Sequence, residues 1–115
     1  MPRRSLIMPG VRFLNKAKVL EKLRDLAQKA KNADANIKQV ILFGSLATDT
    51  YTALSDADLL IILRESDQRF IDRIPYFLLL FMEAPLPVEV FPYREDEVIH
   101  APLAQQALSQ GVVLA

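Results

Sequence analysis

Ile37-Lys38-Gln39-Val40-Ile41-Leu42-Phe43-Gly44-Ser45, followed ten residues later by Asp56-Ala57-Asp58-Leu59-Leu60-Ile61-Ile62-Leu63, decides how the chain folds. The first stretch is mostly β-branched or aromatic and stops abruptly at Gly44-Ser45, which predicts a strand over residues 37–43. LLIIL, residues 59–63, is a continuous apolar run of the kind found in a strand buried on both faces. Two such strands need helices to cover them.

The flanking sequence supplies those helices. Upstream, Val19, Leu20, Leu23, Leu26, Ala27 and Ala30 recur at helical spacing behind Asn15 as N-cap, giving an amphipathic helix of about five turns. Residues 1–12, with Pro2, Pro9 and Gly10, read as a tail or a short edge element. Downstream, Ser66 can cap a helix from Asp67 to about Glu83 that Pro75 interrupts. Its second half, YFLLLFM (residues 76–82), is apolar all round, so it is either deeply buried or a contact surface for another chain. Val88 to Tyr93 (VEVFPY) reads as a strand that Pro92 assigns to a sheet edge. An acidic helix start at Arg94 to Ile99, a helix from about Pro102 to Gln110 and a last strand at Gly111 to Leu114 complete the order. Helix, strand, strand, helix, strand, helix, strand indicates an α+β or α/β sheet packed against helices.

The chain has 115 residues, 51% of them hydrophobic, with no Cys and no Trp. That suits one domain over residues 1–115 and excludes disulfides, thiolate metal sites and a Cys nucleophile. The longest apolar run falls far short of the roughly 20 residues of a membrane span, and the basic N-terminus lacks the apolar core of a signal peptide, so a cytoplasmic protein is expected. Fourteen basic and fourteen acidic residues cancel overall. Residues 1–48 nevertheless hold ten Lys/Arg against three acids, leaving the remainder equally acidic. The basic half keeps RNA contact open.

Three acids stand where strands disfavour them. Asp56 and Asp58 lie two apart at the mouth of the most hydrophobic strand, so both carboxylates can aim at one spot about 6.6–6.8 Å apart. Glu89 lies between Val88 and Val90, and joins them if the two strands are neighbours. Taken singly, each acid reads as a strand cap or a solvated edge residue. Clustered, they repel one another unless a cation neutralises them. Oxygen-only ligation favours Mg²⁺, or Mn²⁺, over zinc. Gly44-Ser45 adds a backbone that can approach a phosphate and a hydroxyl that can hydrogen-bond it. Gly-Ser followed at this distance by Asp-x-Asp arises by chance about once in a thousand chains of this length. The lone His100, without a nucleophile motif, makes no triad.

VILFGS (residues 40–45), SDADLLIIL (residues 55–63), VEV (residues 88–90) and, more loosely, the terminal QGVVLA resemble the minimal nucleotidyltransferases of the DNA polymerase β-like superfamily. The resemblance implies an α+β fold, a small mixed sheet flanked by helices. It implies that Gly44 and Ser45 contact the nucleoside triphosphate, ATP, and that Asp56, Asp58 and Glu89 hold two Mg²⁺ ions and are the catalytic acids, Glu89 being the candidate general base. It further implies an antitoxin that transfers AMP onto a tyrosine of a partner HEPN-type toxin, in a hetero-oligomer. An antitoxin acting by binding alone, or transfer to a small molecule or RNA, are the other readings. Thr48 and Asp49 replace the Arg and Gly that family members often carry after the Gly-Ser, which removes a cation for the phosphates.

Overall fold

The computed structural model describes residues 16–44, 46–47 and 56–115. The tail at residues 1–12, the cap Asn15, and Ser45, Thr48 and Asp49 lie outside the described residues. The elements follow in order as α1 (Lys16–Ala33), β1 (Ile37–Phe43), β2 (Ala57–Leu63), α2 (Phe70–Leu80), β3 (Val88–Arg94), α3 (Glu95–Val98), α4 (Pro102–Gln110) and β4 (Val112–Val113).

The strands form one mixed sheet in the order β3-β2-β1-β4. β1 pairs antiparallel with both β2 and β4, whereas β2 and β3 run parallel with α2 as their crossover. β2, central and fully apolar from Leu59 onward, is covered on both sides. Leu59, Ile61 and Leu63 join Val40, Leu42 and Val90 under α1 and α2, where Val19, Leu23, Ala27, Phe77 and Phe81 complete the core. Leu60 and Ile62 point the other way with Ile41 and Phe43, against Val98, Ala101, Ala104 and Ala107 of the C-terminal helices. The alanines let α4 approach the sheet closely. This is the alternation a two-sided strand requires.

β1 departs from strict alternation. Ile37 and Val40, three apart, share the α1 face because an extra residue bulges between Ile37 and Gln39 in the register with β2. Lys38, at the bulge, donates to Glu95 at 2.9 Å.

α2 begins three residues later than the sequence suggests. The Ser66 hydroxyl accepts the Gln68 N–H at 3.1 Å and closes a local turn rather than a helix cap. Pro75 lies inside the helix without ending it, because it falls on the exposed side, where the Ile71 carbonyl that loses its donor can meet water. At the C-terminus the chain tightens, with the Phe81 N–H donating to Leu78 O.

Arg73 ties α2 to the sheet edge. Its side chain is only 2% exposed, and it donates to Gln68 O, to Pro92 O at 2.9 Å and to both oxygens of Glu97. In a parallel pair alternate residues turn their backbone groups outward, so Pro92 on the edge strand sacrifices no ladder bond. Its outward carbonyl is what Arg73 takes. Glu97 also accepts the Arg94 N–H at 2.8 Å, so one carboxylate serves both the start of α3 and the buried guanidinium.

Candidate active site

The acids gather at one end of the sheet, where β1 ends and β2 and β3 begin. In the parallel register Asp58 is the partner of Glu89, and in the antiparallel register it is the partner of Phe43. Phe43, Asp58 and Glu89 therefore form one row across three strands. They share the face of Ile41, Leu60 and Phe91, and the Phe43 and Phe91 rings meet edge to face with centroids 5.4 Å apart. The acid pair closes the open end of an otherwise apolar stack.

Asp58 carries the electrostatic signature of that position. Its pKa is pushed up to about 6, first by burial, then by the charges of Glu89 and Asp56 and by a side-chain hydrogen bond with Glu89. The neighbouring carboxyls of Glu89 and Asp56 repel that of Asp58, which favours its protonated form. The pair is thus a place where negative charge is in excess and partly desolvated.

Gly44 completes the corner. Its φ is +81°, a left-handed conformation that glycine adopts freely, and it turns the chain out of β1 directly beside Asp58. A Cβ at this position would overlap an Asp58 carboxylate oxygen. The absence of a side chain is therefore required twice, by the backbone angle and by the acid.

Of the residues singled out from the sequence, the fold brings Gly44, Asp58 and Glu89 together. Asp56 precedes β2 by one residue and is near enough to raise the pKa of Asp58. Ser45 lies outside the described residues. Among the described residues no group of three or more His, Cys, Asp or Glu side chains is gathered into a metal cage. The donor set still fits a hard divalent cation, because it is all oxygen and because a cation would relieve the repulsion that Glu89 and Asp56 exert on Asp58. Sequence reasoning missed Arg73. The signal was present, since Arg73 precedes Phe77 by four residues on the helix face that turns to the core, and Glu97 follows in an acidic run.

The model for the nucleotidyltransferase domain matches residues 17–108, which reach into every element but the last strand. The chain belongs to the nucleotidyltransferase domain family. Among solved structures, a provisionally named nucleotidyltransferase from Sulfolobus solfataricus superposes with a TM-score of 0.62 at 17% identity, over 92% of this chain and 86% of that one. A toxin-antitoxin structure with AMP-PNP superposes with a TM-score of 0.50 at 21% identity, over 89% of this chain and 73% of that one. At such identities these two likenesses concern the fold. No curated protein sequence is detectably similar. Among the described residues of this nucleotidyltransferase domain, no helix is long and apolar enough to cross a membrane.

Proposed function

We propose that this nucleotidyltransferase acts as a single domain over residues 1–115 and transfers AMP from ATP to a hydroxyl, a tyrosine of a partner HEPN-type toxin, thereby silencing it as an antitoxin. The observation that carries the reading is the Asp58–Glu89 carboxyl pair lodged against Gly44, in a chain whose family performs nucleotidyl transfer. The superposition on a toxin-antitoxin structure holding a nucleotide analogue supports the choice of ATP and of the partner.

Each residue has a part. Gly44, without a side chain, lets the backbone N–H groups of the turn approach the phosphates, and Ser45 offers its hydroxyl beside them. Asp56, Asp58 and Glu89 would hold Mg²⁺, which when bound neutralises the triphosphate and polarises the α-phosphate. Glu89, on the sheet edge, is open to an incoming acceptor and takes the proton of its hydroxyl. The acceptor oxygen forms a bond to the α-phosphorus as the bond to pyrophosphate breaks, leaving an AMP ester and pyrophosphate. The walls that grip the acceptor come from the partner, which docks over the open edge beside Glu89.

A second reading, neutralisation by binding alone, is favoured by the lack of an assembled three-acid cage among the described residues. Co-expression separates the two. The transfer reading predicts that Asp58→Asn fails to relieve the partner's growth arrest while still co-purifying with it. Relief that survives Asp58→Asn supports binding alone.

A further inference from the structure

α2 is apolar on two opposite faces. Phe77 and Phe81 turn to the core, yet Ile71, Pro75, Leu78, Leu79 and Met82 are exposed, Ile71, Leu79 and Met82 by 66%, 65% and 73%. Ile71, Pro75, Leu78 and Met82 are spaced by four, three and four residues, which draws one straight stripe along the helix and its last turn, facing away from the sheet. Solvent-facing helix surfaces do not ordinarily carry such a seam.

We propose that this stripe is an interface on which a second copy of the same chain packs, antiparallel, about a two-fold axis. The spacing is its own mirror. An axis passing between Tyr76 and Phe77 sets Ile71 opposite Met82 of the second copy and Pro75 opposite Leu78, so that every apolar residue of the stripe meets another. The charges beside the stripe obey the same symmetry. Lys29 of α1 lines a cavity of about 290 Å³ with Leu26, Leu79, Met82 and Glu83. The axis brings Asp72 of the second copy level with that end of the helix, where it meets Lys29, which has no ion-pair partner among the described residues. It likewise brings Arg69 of the second copy, which pairs with Asp72 of its own helix at 2.9 Å, level with Glu83, so that the exposed Arg69–Asp72 pair of one copy faces Lys29 and Glu83 of the other. Both contacts are of opposite sign and each occurs twice.

The four side chains of the stripe, with the adjacent Leu79, make an interface at the small end of the specific range, so the dimer is weak and its population depends on concentration. The site at the other face of the sheet stays open in both copies, and the inference is independent of the proposed reaction.

Sedimentation velocity of the full chain over a wide concentration range tests it. The wild type is expected to shift from monomer to dimer as concentration rises, and Ile71→Glu, folded by circular dichroism, is expected to remain monomeric. Lys29→Glu weakens the dimer and Lys29→Glu/Asp72→Lys restores it. A wild type that is monomeric throughout overturns the proposal. So does a dimer indifferent to Ile71→Glu, or a stripe needed only for co-purification with a different protein, which would assign it to that partner.

Discussion

Asp58 is the residue at which stability and function pull in opposite directions. Its folded pKa, pushed up to about 6, lies above its ordinary value of 3.8, so the folded state binds the proton more tightly than the unfolded chain does. The consequence for stability is that no penalty is felt below about pH 4. The penalty grows as the pH rises through 6 and is complete above it. Asp58→Asn is therefore expected to stabilise the metal-free protein at pH 7.5, by on the order of 1 kcal/mol once solvent screening is allowed for, and to change little at pH 4. Urea midpoints at the two pH values check this. Addition of Mg²⁺ should raise the wild-type midpoint and leave that of the variant where it was. Gly44, Asp56, Asp58 and Glu89 were legible as candidates because each breaks a local rule, a glycine ending a strand or an acid inside one. What the sequence did not disclose is that Asp58 and Glu89 stand directly side by side, since that depends on the register of two strands whose paired residues lie 31 apart.

Among the elements, the edge strand β3 is tied to α2 and α3 through one side chain. Arg73 reaches it from α2 and holds the Pro92 carbonyl while pairing with Glu97. The pairing keeps the Glu97 carboxyl below its ordinary value of 4.5, chiefly through the hydrogen bond from Arg73. A depressed carboxyl has the opposite sign from Asp58. Its contribution is full above about pH 4.5 and is lost as the pH falls through the lower folded value. Arg73→Met leaves Pro92 O without its donor and Glu97 with only its Arg94 contacts, and is expected to cost about 1–3 kcal/mol at pH 7. Acid titration of chemical stability should then show the wild type losing more than the variant below pH 4.5. The elements themselves were legible nearly to the residue where periodicity was strong, as in α1 and β2. They were less so at α2, whose start moved from Asp67 to Phe70 because Ser66 prefers a local turn. Ile37 was legible as a core residue, but the bulge that turns it inward was not, because nothing in IKQVILF marks the extra residue.

For the whole molecule, topology is what converts scattered acids into a pair. A crossover through α2 makes β3 parallel to β2, and parallel pairing sets the start of one strand beside the start of the other. Asp58 and Glu89 are both second residues of their strands, so they meet. The alternating order of helices and strands, and Pro92 at an edge, foretold a layered fold with β3 outermost. The choice between parallel and antiparallel pairing lay beyond local pattern. The same topology leaves the outer face of α2 bare, which is why a helix with apolar residues all round has one face in the core and another in solvent.

The central claim is that the acids at this sheet end perform transfer, and label transfer from α-labelled ATP tests it most directly. Wild type and Asp56→Asn/Asp58→Asn are each incubated with Mg²⁺ and the proposed HEPN-type partner. Transfer predicts label on the partner that disappears in the double variant and is absent without Mg²⁺. An unlabelled partner that still co-purifies with the wild type and is still silenced by it would contradict the claim and leave binding as the function.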